Sequence, residues 1–173
     1  MKDSIIKELS NKGIDIGACT KGIAELEQSS SDCATLSELF FKHAHFCLNS
    51  GFPTAGWMID RFGDEPADFG IFCRKNGNVS NMRRVALLET AHVTAKYDEF
   101  SAAKIYLKGE SRLDIEVSNN AFVFIDAFDN SVVNISASGN ARVVVFQYGN
   151  ADITESSRGN ARVKINVKPT NSY

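Results

Sequence analysis

The C-terminal half of the chain repeats one pattern of apolar and polar residues every ten positions. Positions 1, 3, 5 and 7 of the windows are small or apolar, except at Gln147 and Glu155, and five windows close with Asn. Because side chains alternate between the two sides of a strand, these four positions share one side of a short extended segment. Gly, Asn or Asp before the closing Asn tolerates a positive φ and predicts a sharp turn. The windows from residue 111 read SRLDIEVSNN, AFVFIDAFDN, SVVNISASGN, ARVVVFQYGN, ADITESSRGN and ARVKINVKPT.

This repeat predicts a β-solenoid in which two windows form one coil and the coils stack in parallel. An antiparallel meander with hairpin turns is the alternative. The solenoid is favoured because every window keeps the same order of residue types, so parallel stacking places like residues on each other. The same phase extends back to about residue 90, which predicts a solenoid of about four coils over 90–168 and a tail over 169–173.

The N-terminal half has helical periodicity and no ten-residue repeat. Apolar spacing predicts helices near the N-terminus, over 20–28, over 35–48, and from Pro53 to Gly63. The predicted organisation is therefore α+β, with a helical domain over 1–63 followed by the short solenoid. Residues 64–89 are predicted as a connection and solenoid cap, with a short strand at 71–73, a turn at Asn76-Gly77, and the capping coil starting at 85–88.

Outward residues of the repeat separate into two faces, because windows 20 residues apart lie on the same side of a two-window coil. One face is aromatic and apolar, and the other is polar. A contiguous apolar patch is expected to be covered by the N-terminal domain, a second subunit or a ligand. The predicted aromatic site comprises Phe122, Phe124, Phe128, Val144, Phe146 and Tyr148, with Tyr106 beside it. The predicted polar site comprises Arg112, Asp114, Glu116 and Asp152.

Composition and charge narrow the classes of partner. The chain has 19 Lys and Arg and 21 Asp and Glu residues, spread almost evenly over its two halves. This balance argues against nucleic-acid binding, which requires clustered basic residues. No membrane span or signal sequence is recognisable, so a cytoplasmic protein is predicted. The four cysteines lie outside the repeats without a CxxC motif and are predicted to be buried free thiols.

Two groups of residues suggest chemistry. Asp114 and Glu116 lie two positions apart on the polar face, and paired carboxylates serve glycoside hydrolysis. His43 and Cys47 are spaced i, i+4 on a predicted helix, but two ligands are too few for a zinc site. A solvated face and a structural histidine are the favoured interpretations, so no catalytic residue, metal or cofactor is predicted. Gln147 and Glu155 break their apolar columns and predict a bulge, a paired polar group or an open edge.

A resemblance to known proteins rests on four segments, FFKHAHFCLNSGFP (40–53), IYLKGESRLDI (105–115), GNARVVV (139–145) and GNARVKI (159–165). The chain resembles small, uncharacterised β-solenoid proteins of phages and mobile elements of gut Bacteroidetes. The resemblance covers roughly residues 36–165 and implies a cytoplasmic accessory protein. It brings no catalytic signature and transfers no functional residue.

The sequence therefore predicts a non-enzymatic binding or assembly module. It is expected to act on a host protein or to form a homo-oligomer, with a small molecule as a further ligand class, and a counter-defence role fits the resemblance. Two alternatives stay open: a carbohydrate-active module using Asp114 and Glu116, and a purely structural solenoid that self-assembles.

Overall fold

A computed structural model describes the backbone of residues 2–173 and the side chains from Ser4 onward. It divides into two compact units, one ending at Phe69 and the other spanning Gly70–Tyr173. The first unit is helical and the second is a β-solenoid. The predicted α+β architecture is confirmed.

The first unit consists of short helices, and side chains cap the N-termini of several of them. Asp32 and Thr54 accept hydrogen bonds from Thr35 N and Trp57 N, and Gly51 ends its helix with a left-handed φ of 67°. The helices are α1 (Lys2–Asp15), α2 (Thr20–Glu27), α3 (Cys33–Lys42), α4 (Ala44–Ser50) and α5 (Ala55–Phe62), followed by a 3-10 helix (Glu65–Phe69).

The prediction of a single helix over 35–48 is wrong, because the helix is interrupted at His43. The backbone of His43 has φ −111° and ψ 27°, outside the helical region, so it ends α3 and precedes α4. Its ring nitrogen Nε2 lies 2.9 Å from Glu25 Oε2 on α2. The apolar stripe is compatible with one helix or two, so periodicity alone could not locate this break.

The second unit consists of parallel strands in two sheets. The strands are β1 (Ile71–Cys73), β2 (Asn76–Ser80), β3 (Arg84–Glu89), β4 (His92–Tyr97), β5 (Ala102–Gly109), β6 (Arg112–Val117), β7 (Phe122–Ala127), β8 (Val132–Ala137), β9 (Arg142–Gln147), β10 (Asp152–Ser157) and β11 (Arg162–Val167). Odd-numbered strands form one sheet, in the order β1-β3-β5-β7-β9-β11, and even-numbered strands form the other, in the order β10-β8-β6-β4-β2. Each coil therefore contributes one strand to each sheet.

The register stacks residues 20 positions apart, as the repeat predicts. Val123 pairs with Val143 and Val143 with Val163, while Ile115 pairs with Ile135 in the other sheet. Val123, Val133 and Leu113 are fully buried, so the apolar columns fill the space between the sheets. Parallel pairing excludes the antiparallel meander.

The solenoid begins about one coil earlier than predicted. The strand at 71–73 is confirmed, but Asn76-Gly77 begins β2 and is not a turn. Gly77 is required there because a Cβ would lie 2.3 Å from the ring of Phe72, which faces inward beside it. The connection predicted over 64–89 is therefore largely solenoid. The ten-residue repeat misses this coil because Phe72 and Gly77 replace its usual column residues.

From β3 onward, each turn between strands places position 9 of the window in the left-handed region. Asn119, Asp129 and Gly139 have φ values of 57°, 59° and 68° at this position. Position 10 instead forms ladders, in which the amides of Asn140, Asn150 and Asn160 each donate to the Asn 20 residues earlier, as from Asn140 to Asn120 at 3.3 Å. The predicted turn is confirmed, with the positive φ confined to its first residue.

The two residues that break the apolar columns take two of the predicted forms. Gln147 Nε2 donates a hydrogen bond to Ala151 O at 2.7 Å, so this polar group is paired. Glu155 stacks on Ile135 in β10, the last strand of its sheet, and is exposed. Beside it, Ile165 and Val167 of β11 are 37% and 72% exposed. The solenoid therefore ends in an open coil.

Replacing either of two buried serines at position 1 of the repeat with alanine should increase stability. Ser111 and Ser131 are fully buried, and neither hydroxyl has a hydrogen-bond partner among the described residues. Ala91 and Ala151 stack above and below them, so alanine fits the same space. Because an unsatisfied buried hydroxyl costs free energy, S111A and S131A should each raise the free energy of unfolding by about 1 kcal/mol.

Urea denaturation measures this difference. The control is Ser136→Ala, which changes an exposed, outward-facing residue of β8. Its free energy of unfolding should stay within about 0.5 kcal/mol of the wild type. Destabilisation by both buried replacements would show that the serine hydroxyls are satisfied in solution.

Candidate functional site

The two predicted faces lie on different sheets. The six-stranded sheet presents the aromatic face, defined by Phe122, Phe124, Phe128, Val144, Phe146 and Tyr148. The five-stranded sheet presents the polar face, defined by Arg112, Asp114, Glu116 and Asp152. Phe124 stacks on Val144, and Arg112 lies in register with Val132, which stacks on Asp152. The segregation of outward residues onto two faces is thus observed.

A buried ion pair lies at the centre of the aromatic face. Lys104 Nζ is 2.5 Å from Asp126 Oδ2, and the Asp126 side chain is only 2% exposed. Lys104 stacks on Phe124 and Asp126 on Phe146, so the pair is diagonal across neighbouring strands. A buried carboxylate is costly unless it is paired, so Lys104 is needed to keep Asp126 in place.

Aromatic rings surround the ammonium group of Lys104. Its Nζ lies 5.2 Å from the ring centroid of Tyr106, 5.6 Å from Phe124 and 5.8 Å from Phe146. These distances are within the range of cation–π attraction. Lys104 therefore joins the aromatic residues of two further strands into one cluster.

Residues 169–173, predicted as a tail, lie along the aromatic face as a strap. Asn171 forms two hydrogen bonds with Asp129: its Nδ2 donates to Asp129 Oδ1 at 2.7 Å, and its Oδ1 accepts from Asp129 N at 3.0 Å. Gly149 N donates to Thr170 O at 3.2 Å. Tyr173 OH then donates to Asp126 Oδ2 at 2.5 Å.

The ring of Tyr173 covers one end of the aromatic face. Phe128 and Tyr148 stack on each other with centroids 4.4 Å apart, and Tyr173 meets both edge-on at 5.1 and 5.6 Å. Phe128 and Tyr148 are consequently 1% and 7% exposed. Burial, together with the neighbouring Asp126 carboxylate, raises the pKa of the Tyr173 hydroxyl. The hydroxyl therefore stays protonated and able to donate.

The remaining part of the aromatic face is only half-buried. It consists of Phe122, Phe124, Val144 and Phe146, with the rings of Phe122 and Phe124 4.8 Å apart. Lys168 Nζ lies 5.0 Å from the ring centroid of Phe146. Further cations on the same sheet are Arg142, Arg162 and Lys164, all exposed. This half is an accessible apolar patch with a basic border.

On the polar face, Asp114 is the centre of a hydrogen-bond cluster. Its Oδ2 lies 2.6 Å from His92 Nε2, and its Oδ1 accepts from Asn134 Nδ2 at 2.7 Å. Arg112 donates to both oxygens at 3.2 Å. Partial burial alone would raise the pKa of Asp114, but hydrogen bonds from Arg112, Asn134 and His92 outweigh it and lower the pKa to about 2.

A shallow open groove of about 360 Å³ crosses the polar face. Its outward lining residues include Asp114, Glu116, Asn134 and Thr154. A glycosidase needs one carboxyl group that is protonated near neutral pH. Asp114 is held ionised, so it could serve only as a base or nucleophile, and the acid role would fall to the exposed Glu116.

The cluster around Asp114 makes the free energy of unfolding depend on pH in the acidic range. Because the folded-state pKa of about 2 lies below that of an unfolded aspartate, near 4, the stabilisation is complete above the unfolded value. It should be lost as the pH falls from about 4 to 2. The difference in melting temperature between wild type and Asp114→Asn should therefore shrink over this interval. A difference that stays constant from pH 6 to pH 2 would contradict the cluster.

The residues first considered for metal binding have other roles. His43 is hydrogen-bonded to Glu25, and burial raises the pKa of the Cys47 thiol to about 12. Among residues 4–173, no group of three or more His, Cys, Asp and Glu side chains is placed to hold a metal ion. Among the described residues the four cysteines form no disulfide, but Cys19 is exposed, so the prediction that every thiol is buried is wrong for that residue.

Sequence reasoning missed Lys104, Asp126 and the strap. A signal for the ion pair does exist, because Lys104 and Asp126 are 22 residues apart, the same spacing as His92 and Asp114. In a 20-residue coil this spacing makes two outward residues diagonal neighbours. The strap has no comparable signal, since its two anchoring residues, Asn171 and Tyr173, lie outside the repeat.

Comparison with known proteins adds no relative. The chain matches no protein-family model, no curated protein and no solved structure. Within the part of the chain that the structure describes, none of the helices combines the length and apolar character needed to cross a bilayer.

Proposed function

We propose that the protein is a non-enzymatic binding module that recognises a protein partner through the aromatic face of its solenoid. The observation that supports this most is the half-buried patch of Phe122, Phe124, Val144 and Phe146 beside exposed cations. Aromatic residues on a rigid sheet are typical anchors of protein interfaces, and Arg is enriched there. The border charges favour a partner whose apolar patch is surrounded by carboxylates.

The polar face gives weaker support for catalysis. The carboxylate of Asp114 is occupied by three donors, and its pKa of about 2 rules it out as a general acid at neutral pH. The groove above it is shallow and open. Turnover of a glycan that Asp114→Asn abolishes would favour the carbohydrate-active alternative over the binding module.

Affinity capture from a lysate of the source organism, followed by titration of the purified partner, tests the proposal. The double variant F124S/F146S removes two anchors and should weaken binding at least about 100-fold, as expected when interface anchors are lost. The matched control T94A/T154A changes two positions of the polar face and should bind like the wild type. Melting curves check that both variants are folded.

Equal binding by F124S/F146S and wild type would overturn the proposal. Loss of binding only in the polar-face control would move the interface to the other sheet. Mass spectrometry of small molecules released from the purified protein covers the small-molecule alternative. A narrower proposal, an accessory or counter-defence protein of a phage or mobile element, depends on the sequence resemblance and would be supported if the partner is a host defence protein.

Self-assembly through the open end of the solenoid is disfavoured by one residue. Glu155 occupies the column position above Ile135 on the last strand of its sheet, and inward charges at sheet edges oppose edge-to-edge pairing. Replacing Glu155 with Ile should extend the apolar column to the end of the solenoid and allow two open ends to associate.

In light scattering, we expect the molar mass of E155I to rise with protein concentration, because molecules associate through their open ends. The wild type should not associate in this way. Thr154→Ile, an outward change on the same strand, is the control and should behave as the wild type. Identical masses for E155I and wild type at all concentrations would show that Glu155 does not protect this edge.

A further inference from the structure

We propose that the strap, residues 169–173, occupies a peptide-binding site and that a partner segment with an amide side chain followed two residues later by a tyrosine displaces it. This deepens the proposed function, on which it rests, by naming the ligand class for the covered end of the aromatic face. The strap itself shows which chemistry the site accepts.

The site holds an amide at one end. Asp129 offers both a backbone N–H and a carboxylate oxygen, and Asn171 satisfies both, at 3.0 and 2.7 Å. A primary amide is the neutral side-chain group that donates and accepts in this way. Gly149, whose φ is 61°, allows this approach, since a Cβ there would lie 2.2 Å from Asn171 Oδ1.

The site holds an aromatic hydroxyl at the other end. The stacked rings of Phe128 and Tyr148 form the apolar wall, and Asp126 Oδ2 accepts the hydroxyl of Tyr173. A phenylalanine would fill the same space but would leave this acceptor with one donor fewer. The site therefore selects tyrosine over phenylalanine.

The strap leaves one acceptor of this site unused. Asp126 is 1% exposed, yet its Oδ1 has no hydrogen-bond partner among the described residues. An unsatisfied buried acceptor is costly. A ligand that supplies one more donor beside its tyrosine hydroxyl would satisfy Asp126 better than the strap does, which gives an external peptide an advantage.

Competition with the strap decides the affinity that is observed. The strap is tethered, so it reaches the site at a high effective concentration. When the competent open form is a small fraction of the molecules, the apparent dissociation constant rises by the inverse of that fraction. Weakening the strap should therefore tighten the binding of a peptide added in trans.

Fluorescence anisotropy with a labelled KPTNSY peptide, the sequence of residues 168–173, measures this effect on the full-length chain. The variant N171A/Y173A removes the strap's two anchors and leaves the site intact. It should bind the peptide at least about tenfold more tightly than the wild type, as for a strap closed in nine molecules of ten. The control peptide KPTASF should bind neither protein.

A second variant distinguishes loss of the peptide-binding site from loss of folding. Asp129→Gly in the N171A/Y173A background removes the amide-binding carboxylate, while Gly suits the positive φ, as it does at the equivalent position 139. This variant should fold and lose the peptide. Equal binding of KPTNSY and KPTASF, or no binding to N171A/Y173A, would overturn the proposal.

A wild-type dimer that N171A/Y173A lacks would also overturn it, in favour of straps exchanged between two copies. Failure here leaves the proposed function to its own test, because capture of a partner through Phe124 and Phe146 is measured independently of the strap.

Discussion

Replacing Val143 with aspartate should unfold the solenoid unit, whereas the same replacement at the next residue, Val144, should leave it folded. Val143 is 1% exposed and stacks between Val123 and Val163, so the aspartate is buried without a partner. Burying an unpaired carboxylate is among the few single changes that cost more than about 4 kcal/mol. Val144 faces outward on the aromatic face, where a carboxylate can reach solvent.

Thermal melting followed by circular dichroism compares the two variants. V143D should lose its cooperative transition or melt far below the wild type, and V144D should melt within a few degrees of it. Cooperative melting of V143D close to the wild type would contradict the assignment of the apolar columns to the interior.

Removing the charge of Lys104 has the second largest expected effect. In K104M, the carboxylate of Asp126, 2% exposed in the wild type, loses its cation and keeps only the hydroxyl of Tyr173. Breaking a buried pair from one side typically costs about 3–5 kcal/mol. K104M should fall near the lower end of this range because Lys104 itself is 29% exposed.

The polar face offers a matched control with the same 22-residue spacing. His92 and Asp114 are 42% and 33% exposed, so His92→Ala should cost less than about 1 kcal/mol in urea denaturation. The double variant K104M/D126L removes both charges and should recover most of the stability lost in K104M. Equal costs for K104M and H92A would show that Asp126 is not buried as the structure places it.

The repeat was sufficient to predict the solenoid because its physics is local and periodic. The column residues, the two-strand coil and the separation of the two faces all follow from the period of two within a strand and of 20 between coils. Glu155 and Gln147 were recognisable as exceptions for the same reason. Their outcomes differ because Gln147 finds Ala151 O nearby, while Glu155 lies at the open end.

Features that depend on one tertiary contact escaped prediction. The first coil is built around the fit of the Phe72 ring against Gly77, which reads as a turn residue in isolation. The break at His43 divides an otherwise continuous helical pattern. In the candidate site, the strap is invisible to periodicity because Asn171 and Tyr173 lie outside the repeat and are placed by Asp129 and Asp126, more than 40 residues earlier.

Backbone cross-peaks between neighbouring strands, measured by nuclear Overhauser NMR, test the stacking most directly. Parallel stacking predicts contacts between the Hα and amide protons of residues paired 20 positions apart, such as Ile125 with Val145 and Ile115 with Ile135. Backbone contacts that instead join strands adjacent in sequence, such as Ile135 with Val145, would contradict it.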